Sequence, residues 1–142
     1  MRTLSRFIAL SRAERAVAIE ASVVLTVVCT TFWILPFRLL ARLLGGYAAR
    51  FRRPCEAPAP RIAALVASVA GRFPAPVTCL AEALVAEAML KRRGYAPVLR
   101  LGVRKPNGTL DAHAWVECDG RVVLGGVREL DEYAVLSGPG RP

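Results

Sequence analysis

Seventeen consecutive uncharged residues, ASVVLTVVCTTFWILPF at 21–37, constrain this chain more than any other stretch. A run of this kind must be covered, either by lipid or by other protein. Its length is at the short limit for a membrane-spanning helix. It also carries Thr26, Thr30, Thr31 and a late Pro36, so a helix packed on protein is an equal expectation. Residues 13–44 read as one long or two shorter apolar helices, with Pro36 as a kink and Gly45-Gly46 as the stop. Arg2, Arg6, Arg12 and Arg15 resemble the charged start of a signal peptide, but no small-residue cleavage site follows.

Charge is distributed unevenly around that run. Residues 1–53 hold nine Arg and two Glu, whereas 54–142 hold eleven Lys/Arg and nine acids. Most of the formal charge of +9 therefore flanks the apolar segment, through Arg38, Arg42, Arg50, Arg52 and Arg53 on its C-terminal side. Such flanks suit anionic headgroups or an acidic partner, so residues 16–53 are the expected contact with a membrane surface. No nucleic acid is expected, because no binding motif or aromatic-interleaved basic stripe accompanies the charge.

Cys29, Cys55, Cys79 and Cys118 are sparse and irregularly spaced, with no CxxC pair. They read as reduced thiols of a cytoplasmic protein with a membrane-associated form, rather than as a disulfide framework or zinc site.

Three segments follow: an apolar, basic-flanked helical segment at 1–51, a Pro-rich linker at 52–60 (RRPCEAPAP), and a globular domain at 61–142. Within the last, Ile62, Leu65, Val66 and Val69 form one helical face. Pro74 and Pro76 stop that helix, and TCLAEALVAEAMLKRRG begins another, with Thr78 as N-cap, basic residues in the last turn and Gly94 beyond the end. The remainder reads as strands: PVLRLGVRK, a Pro-Asn-Gly turn at 106–108, TLDAHAWVEC, a type I′ turn at Asp119-Gly120, and RVVLGGV. The fold class is α+β, helices first and at least three antiparallel strands after.

The only histidine, His113, lies inside the strand AHAWVE. A two-residue turn at 119–120 predicts Trp115 opposite Leu124 and His113 opposite Gly126. Alternation puts His113, Trp115 and Glu117 on one face and Cys118 on the other. Cys79 opens a helix, where the partial positive end of the dipole favours a thiolate. An arbitrary cysteine is most often a small buried hydrophobe, and a lone strand histidine is most often structural. Together, a helix-start thiol and a strand-borne imidazole are what a Cys–His nucleophilic pair requires. Glu82 and Glu87 read as solvated helix acids, and Lys91-Arg92-Arg93 as a capping cluster.

The spacing of TCL at 78–80, LRLGVR at 99–104, AHAWVE at 112–117 and GRV at 120–122 resembles the leader peptidases of lasso-peptide biosynthesis, over roughly residues 60–135. The upstream ILPFRLLARLLG is similar to their stand-alone form. The resemblance implies a transglutaminase-like core, related to papain-type cysteine proteases, with a helix-borne Cys followed by a sheet bearing His. It implies removal of the leader from a ribosomally made precursor, with Cys79 as nucleophile and His113 as general base and then acid. It also implies a separate small leader-binding protein and an ATP-dependent cyclase as partners, and no cofactor. The family commonly adds an aspartate about a dozen residues after the histidine, where this chain has Gly125-Gly126. Asp111, on the histidine's face, is therefore the expected third member, with Glu117, Glu129 and Asp131 as the other acids within range. The competing reading is a catalytically silent transglutaminase-like scaffold that binds precursor or partners.

Overall fold

A computed structural model describes residues 9–136. Arg2 and Arg6, in the charged N-terminal stretch, lie outside them. Four helices precede a four-stranded antiparallel sheet: α1 (Arg12–Thr31), α2 (Phe37–Arg50), α3 (Ala59–Ala70), α4 (Cys79–Arg92), β1 (Pro97–Arg104), β2 (Asp111–Cys118), β3 (Arg121–Leu124) and β4 (Ala134–Leu136). The sheet order is β3-β2-β1-β4.

Helix α1 starts at a capping box in which the Ser11 hydroxyl accepts from the Glu14 N–H and Glu14 accepts from the Ser11 N–H. Its buried stripe is Val17, Ala18, Ala21, Val24, Leu25 and Val28. That stripe packs the helical part of the run at 21–37 on protein along one face only. No helix among the described residues is long and apolar enough to cross a membrane. The helix ends at Thr31, and Pro36 caps the start of α2 instead of kinking one continuous helix. Gly45-Gly46 does not stop α2, which runs on to Arg50. Two glycines cost a helix roughly 2 kcal/mol relative to alanine, but Leu40, Leu44 and Ala48 bury one stripe across them.

Helix α4 is the centre of the molecule. It is buried at Ala81, Ala83, Leu84, Val85, Ala86, Ala88, Met89 and Leu90, nearly all round, because α1, α2, α3, β1 and β2 all pack against it. Its four buried alanines let those elements approach closely. Residues on both sides of the Pro-rich 52–60 segment enter one core, from Val17 and Leu44 to Ile62, Leu84 and Val116. We expect Leu25→Ala, at a fully buried position of α1, to cost about 2–5 kcal/mol in a single cooperative urea transition. An independently melting 61–142 unit would show a second transition instead.

A polar tie reinforces that packing. Arg92 and Arg93 at the end of α4 both pair with Glu20 of α1, and the Arg93 contact measures 2.8 Å. The Tyr47 hydroxyl donates to the same carboxylate at 2.7 Å. The basic cluster at 91–93 is thus partly internal, with Lys91 bonded to Glu87. Burial would raise the Glu20 carboxyl, but hydrogen bonds from Arg93 and Tyr47 and the two arginine charges hold it below its ordinary value. Burial and the Glu20 charge push the Tyr47 phenol up to about 12. A depressed carboxyl stabilises the fold above the ordinary glutamate range, and the gain is lost as pH falls through the lower folded value. Urea midpoints measured at descending pH should therefore drop on the acid side, with a shallower drop in Glu20→Gln.

Candidate active site

Thr78 caps α4, its hydroxyl accepting from the Ala81 N–H at 3.2 Å, so Cys79 is the first residue of the helix. Cys79 is half-buried, as is His113 on β2. The backbone N–H of Cys79 belongs to the first turn, whose N–H groups have no partner within the helix. Helix α4 packs across β2 and β1. Burial pushes the Glu82 carboxyl up, and the His113 charge offsets part of that rise. Glu82 follows Cys79 by three residues on the same helix side, so the first turn of α4 lies within electrostatic range of the imidazole. Glu82 is therefore a half-buried acid facing the site, not a solvated one. No hydrogen bond joins the Cys79 thiol to His113 among the described residues.

The expected pairing of β2 with β3 is corrected by one residue. Cys118 pairs with Arg121 and Glu117 with Val122 across the turn at Asp119-Gly120, both at positive φ as type I′ requires. The ladder is then interrupted: Val116 pairs with Leu124, not with Val123. Val123 is the extra residue of a β-bulge, a feature that commonly re-aims groups beside active sites. Leu124 thus faces Val116 and not Trp115, and Gly126 is not carried opposite His113 by a regular ladder.

The slip brings Gly125 in close. Its φ is +76°, and an added Cβ would stand 2.8 Å from the Ala114 carbonyl oxygen and 3.1 Å from Trp115 Cα. The Gly125 carbonyl oxygen then lies 2.7 Å from His113 Nε2. A carbonyl oxygen only accepts, so Nε2 carries the proton and a neutral ring presents the Nδ1 lone pair. This orientation is the service a third carboxylate gives in a Cys–His–Asp arrangement. Here backbone supplies it, at the place where the sequence has glycine. Sequence reasoning missed this group because it depends on a bulge that no residue type announces.

Asp111 and Glu117 of the sheet, and Glu132 of the segment after β3, are otherwise engaged. Asp111 Oδ2 accepts from Tyr133 Oη at 2.7 Å and from Arg104 Nε at 2.9 Å, and these bonds hold its carboxyl below the usual range. Its link to His113 runs through Tyr133, whose ring centroid lies 5.6 Å from the imidazole. Glu117 accepts from Trp115 Nε1 at 3.0 Å and from Arg100 Nε at 3.2 Å. Glu132, rather than Glu129 or Asp131, folds back, to bond Arg104. The Trp115 ring is nearly parallel to His113 at 6.2 Å and lies edge-on to Tyr133 at 6.4 Å. Gly102, opposite His113 on β1, makes room for this cluster: a Cβ there would meet Trp115 and Tyr133 at 2.8 Å. The imidazole is thereby held by aromatic packing and by one backbone bond.

A groove of about 1030 Å³ runs between α1 and α3, lined by Ile19, Val23, Leu65 and Val69 with Arg61 and Arg72, and neither Cys79, His113 nor Asp111 lines it. Residues 21–138 match the family model described as the Transglutaminase-like superfamily. No curated protein and no solved structure matches the chain.

Proposed function

The chain belongs to the transglutaminase-like superfamily, and from that premise we propose that it is a cysteine peptidase removing the leader from a ribosomally synthesised precursor during lasso-peptide maturation. The observation that carries the catalytic reading is the 2.7 Å contact from His113 Nε2 to the Gly125 carbonyl, which leaves Nδ1 free to accept the Cys79 proton. The Cys79 sulfur attacks the scissile carbonyl, forming an S–C bond, while the Cys79 N–H at the helix start donates to the oxyanion. His113 passes the proton to the departing amine, and a thioester remains. Water, deprotonated by His113, attacks the thioester and frees the leader carboxylate and the thiol. Asp111 acts as a positioning residue through Tyr133. A small leader-binding protein presents the precursor and an ATP-dependent cyclase acts afterwards. The specificity for lasso precursors rests on the motif resemblance from Cys79 to Val122.

The test is mass spectrometry of a candidate precursor incubated with the full chain, with and without the leader-binding partner. Leader release with a free carboxylate supports the proposal. An amide to an added amine would reassign the thioester to acyl transfer. Intact precursor under both conditions would favour a silent scaffold, a reading for which the missing Cys79–His113 hydrogen bond speaks. Alkylation supplies an independent measure. Burial pushes the Cys29 and Cys118 thiols up, so iodoacetamide near neutral pH is expected to modify Cys79 roughly tenfold faster or more than either. Equal rates would argue that Cys79 is not activated.

A further inference from the structure

Between α1 and α2 the chain exposes its least expected residues. Trp33 is 91% exposed and Ile34 80% exposed, although both belong to the apolar run at 21–37. The helix that follows immediately, α2, shows solvent a mixed face. At 100° per residue, Arg38, Leu39, Arg42, Leu43, Gly46 and Arg50 fall within one arc of about 140°, while Leu40, Leu44 and Ala48 on the far side are turned into the core. Leu39 and Leu43 are 41% and 54% exposed. Arg38, Arg42 and Arg50 form no ion pair among the described residues. From residue 21 to residue 55 the sequence holds five arginines and no acid.

We propose that the Trp33-Ile34 turn and the outer face of α2 seat this protein on an anionic lipid surface. An exposed Trp beside an aliphatic residue suits the headgroup level, where an indole has apolar depth and a polar rim to face. Leu39 and Leu43 extend the apolar contact, and the arginines at 38, 42 and 50 match the charge of anionic headgroups. The absence of any acid across the segment favours lipid, which offers uniform negative charge, over a protein surface of mixed sign. The site is one of adsorption, since no described helix can cross a bilayer. The proposal stands apart from the catalytic reading and shares no residue with it.

The molecule provides its own probe. Of the two tryptophans, Trp115 is 2% exposed, so a change in emission on adding vesicles reports Trp33. The full chain is titrated with phosphatidylcholine vesicles and with vesicles containing one quarter phosphatidylglycerol. A blue shift is expected with the anionic vesicles, reversed by salt, with partition roughly tenfold weaker for Ile34→Asp. The double substitution Arg38→Gln/Arg42→Gln should lose the preference for anionic vesicles, and co-sedimentation provides a second readout. Unchanged emission and no co-sedimentation with either vesicle would overturn the proposal. So would a blue shift seen only with the leader-binding protein or precursor, which would assign the face to a protein partner.

Discussion

Cys79→Ala and His113→Ala are each expected to reduce leader cleavage by about 10³-fold or more, with the double variant little worse than either. Non-additivity is the informative part: a nucleophile without its base, or a base without its nucleophile, removes the same covalent step. Both side chains are half-buried and stand outside the fully buried core. Neither change should shift the urea midpoint by more than about 1 kcal/mol equivalent. The assay is leader release by mass spectrometry, beside urea melts of the same preparations. Cleavage that persists in Cys79→Ala would remove it as nucleophile. Loss accompanied by unfolding would leave the assignment to Cys79→Ser, which keeps the shape and lacks the sulfur.

The second large effect is expected at a residue with no side chain. Gly125→Ala places a Cβ against the Ala114 carbonyl, which is backbone and cannot swing aside, and forces an L-residue to hold φ of +76°. The left-handed conformation costs roughly 1–2 kcal/mol, and relief of the contact moves the Gly125 carbonyl away from His113. We expect kcat to fall by about 10²-fold with KM little changed, the scale of loss for a misplacement near 1 Å. A spectroscopic check separates orientation from mere instability. With one histidine in the chain, selective ¹⁵N labelling reports a single imidazole. The wild type should show the neutral tautomer protonated at Nε2, and Gly125→Ala should show mixed tautomers. A wild-type ring protonated at Nδ1 would falsify the backbone-orientation account. So would unchanged kcat in folded Gly125→Ala.

The substituted aspartate shows why a site is harder to read than a fold. A carboxylate can be sought by residue type, and none stands at the usual place after His113. The function it serves is only to accept one hydrogen bond along a fixed direction. Any correctly aimed oxygen does that, and every residue carries one on its backbone. What aims this oxygen is the extra residue Val123 in β3, and glycine at 125 is the sole sign of it, as a residue that tolerates the approach.

Local chemistry made much of the framework legible. Thr78 before an apolar run predicted a helix beginning at Cys79, because a hydroxyl can satisfy a first-turn N–H without tertiary help. Asp119-Gly120 predicted its turn, because few other pairs accept positive φ at both positions. The face at Ile62, Leu65 and Val66 followed from the helical period alone. Gly45-Gly46 misled for the converse reason: propensity gave a stop, and burial of Leu40, Leu44 and Ala48 carried the helix through it.

By itself, then, the sequence determined the helices α3 and α4, where α4 begins, the strands β1 to β3, and which side of β2 holds the imidazole. These depend on neighbours within a few residues. Tertiary structure alone decided that 21–37 lies on protein while leaving Trp33 and Ile34 exposed, that Glu20 joins α1 to the end of α4, and that a Gly125 carbonyl takes the place of a carboxylate at His113. Those outcomes join residues separated by up to 73 positions. They are set by which packing buries the most apolar surface with every polar group paired, a comparison among whole folds that no local pattern contains.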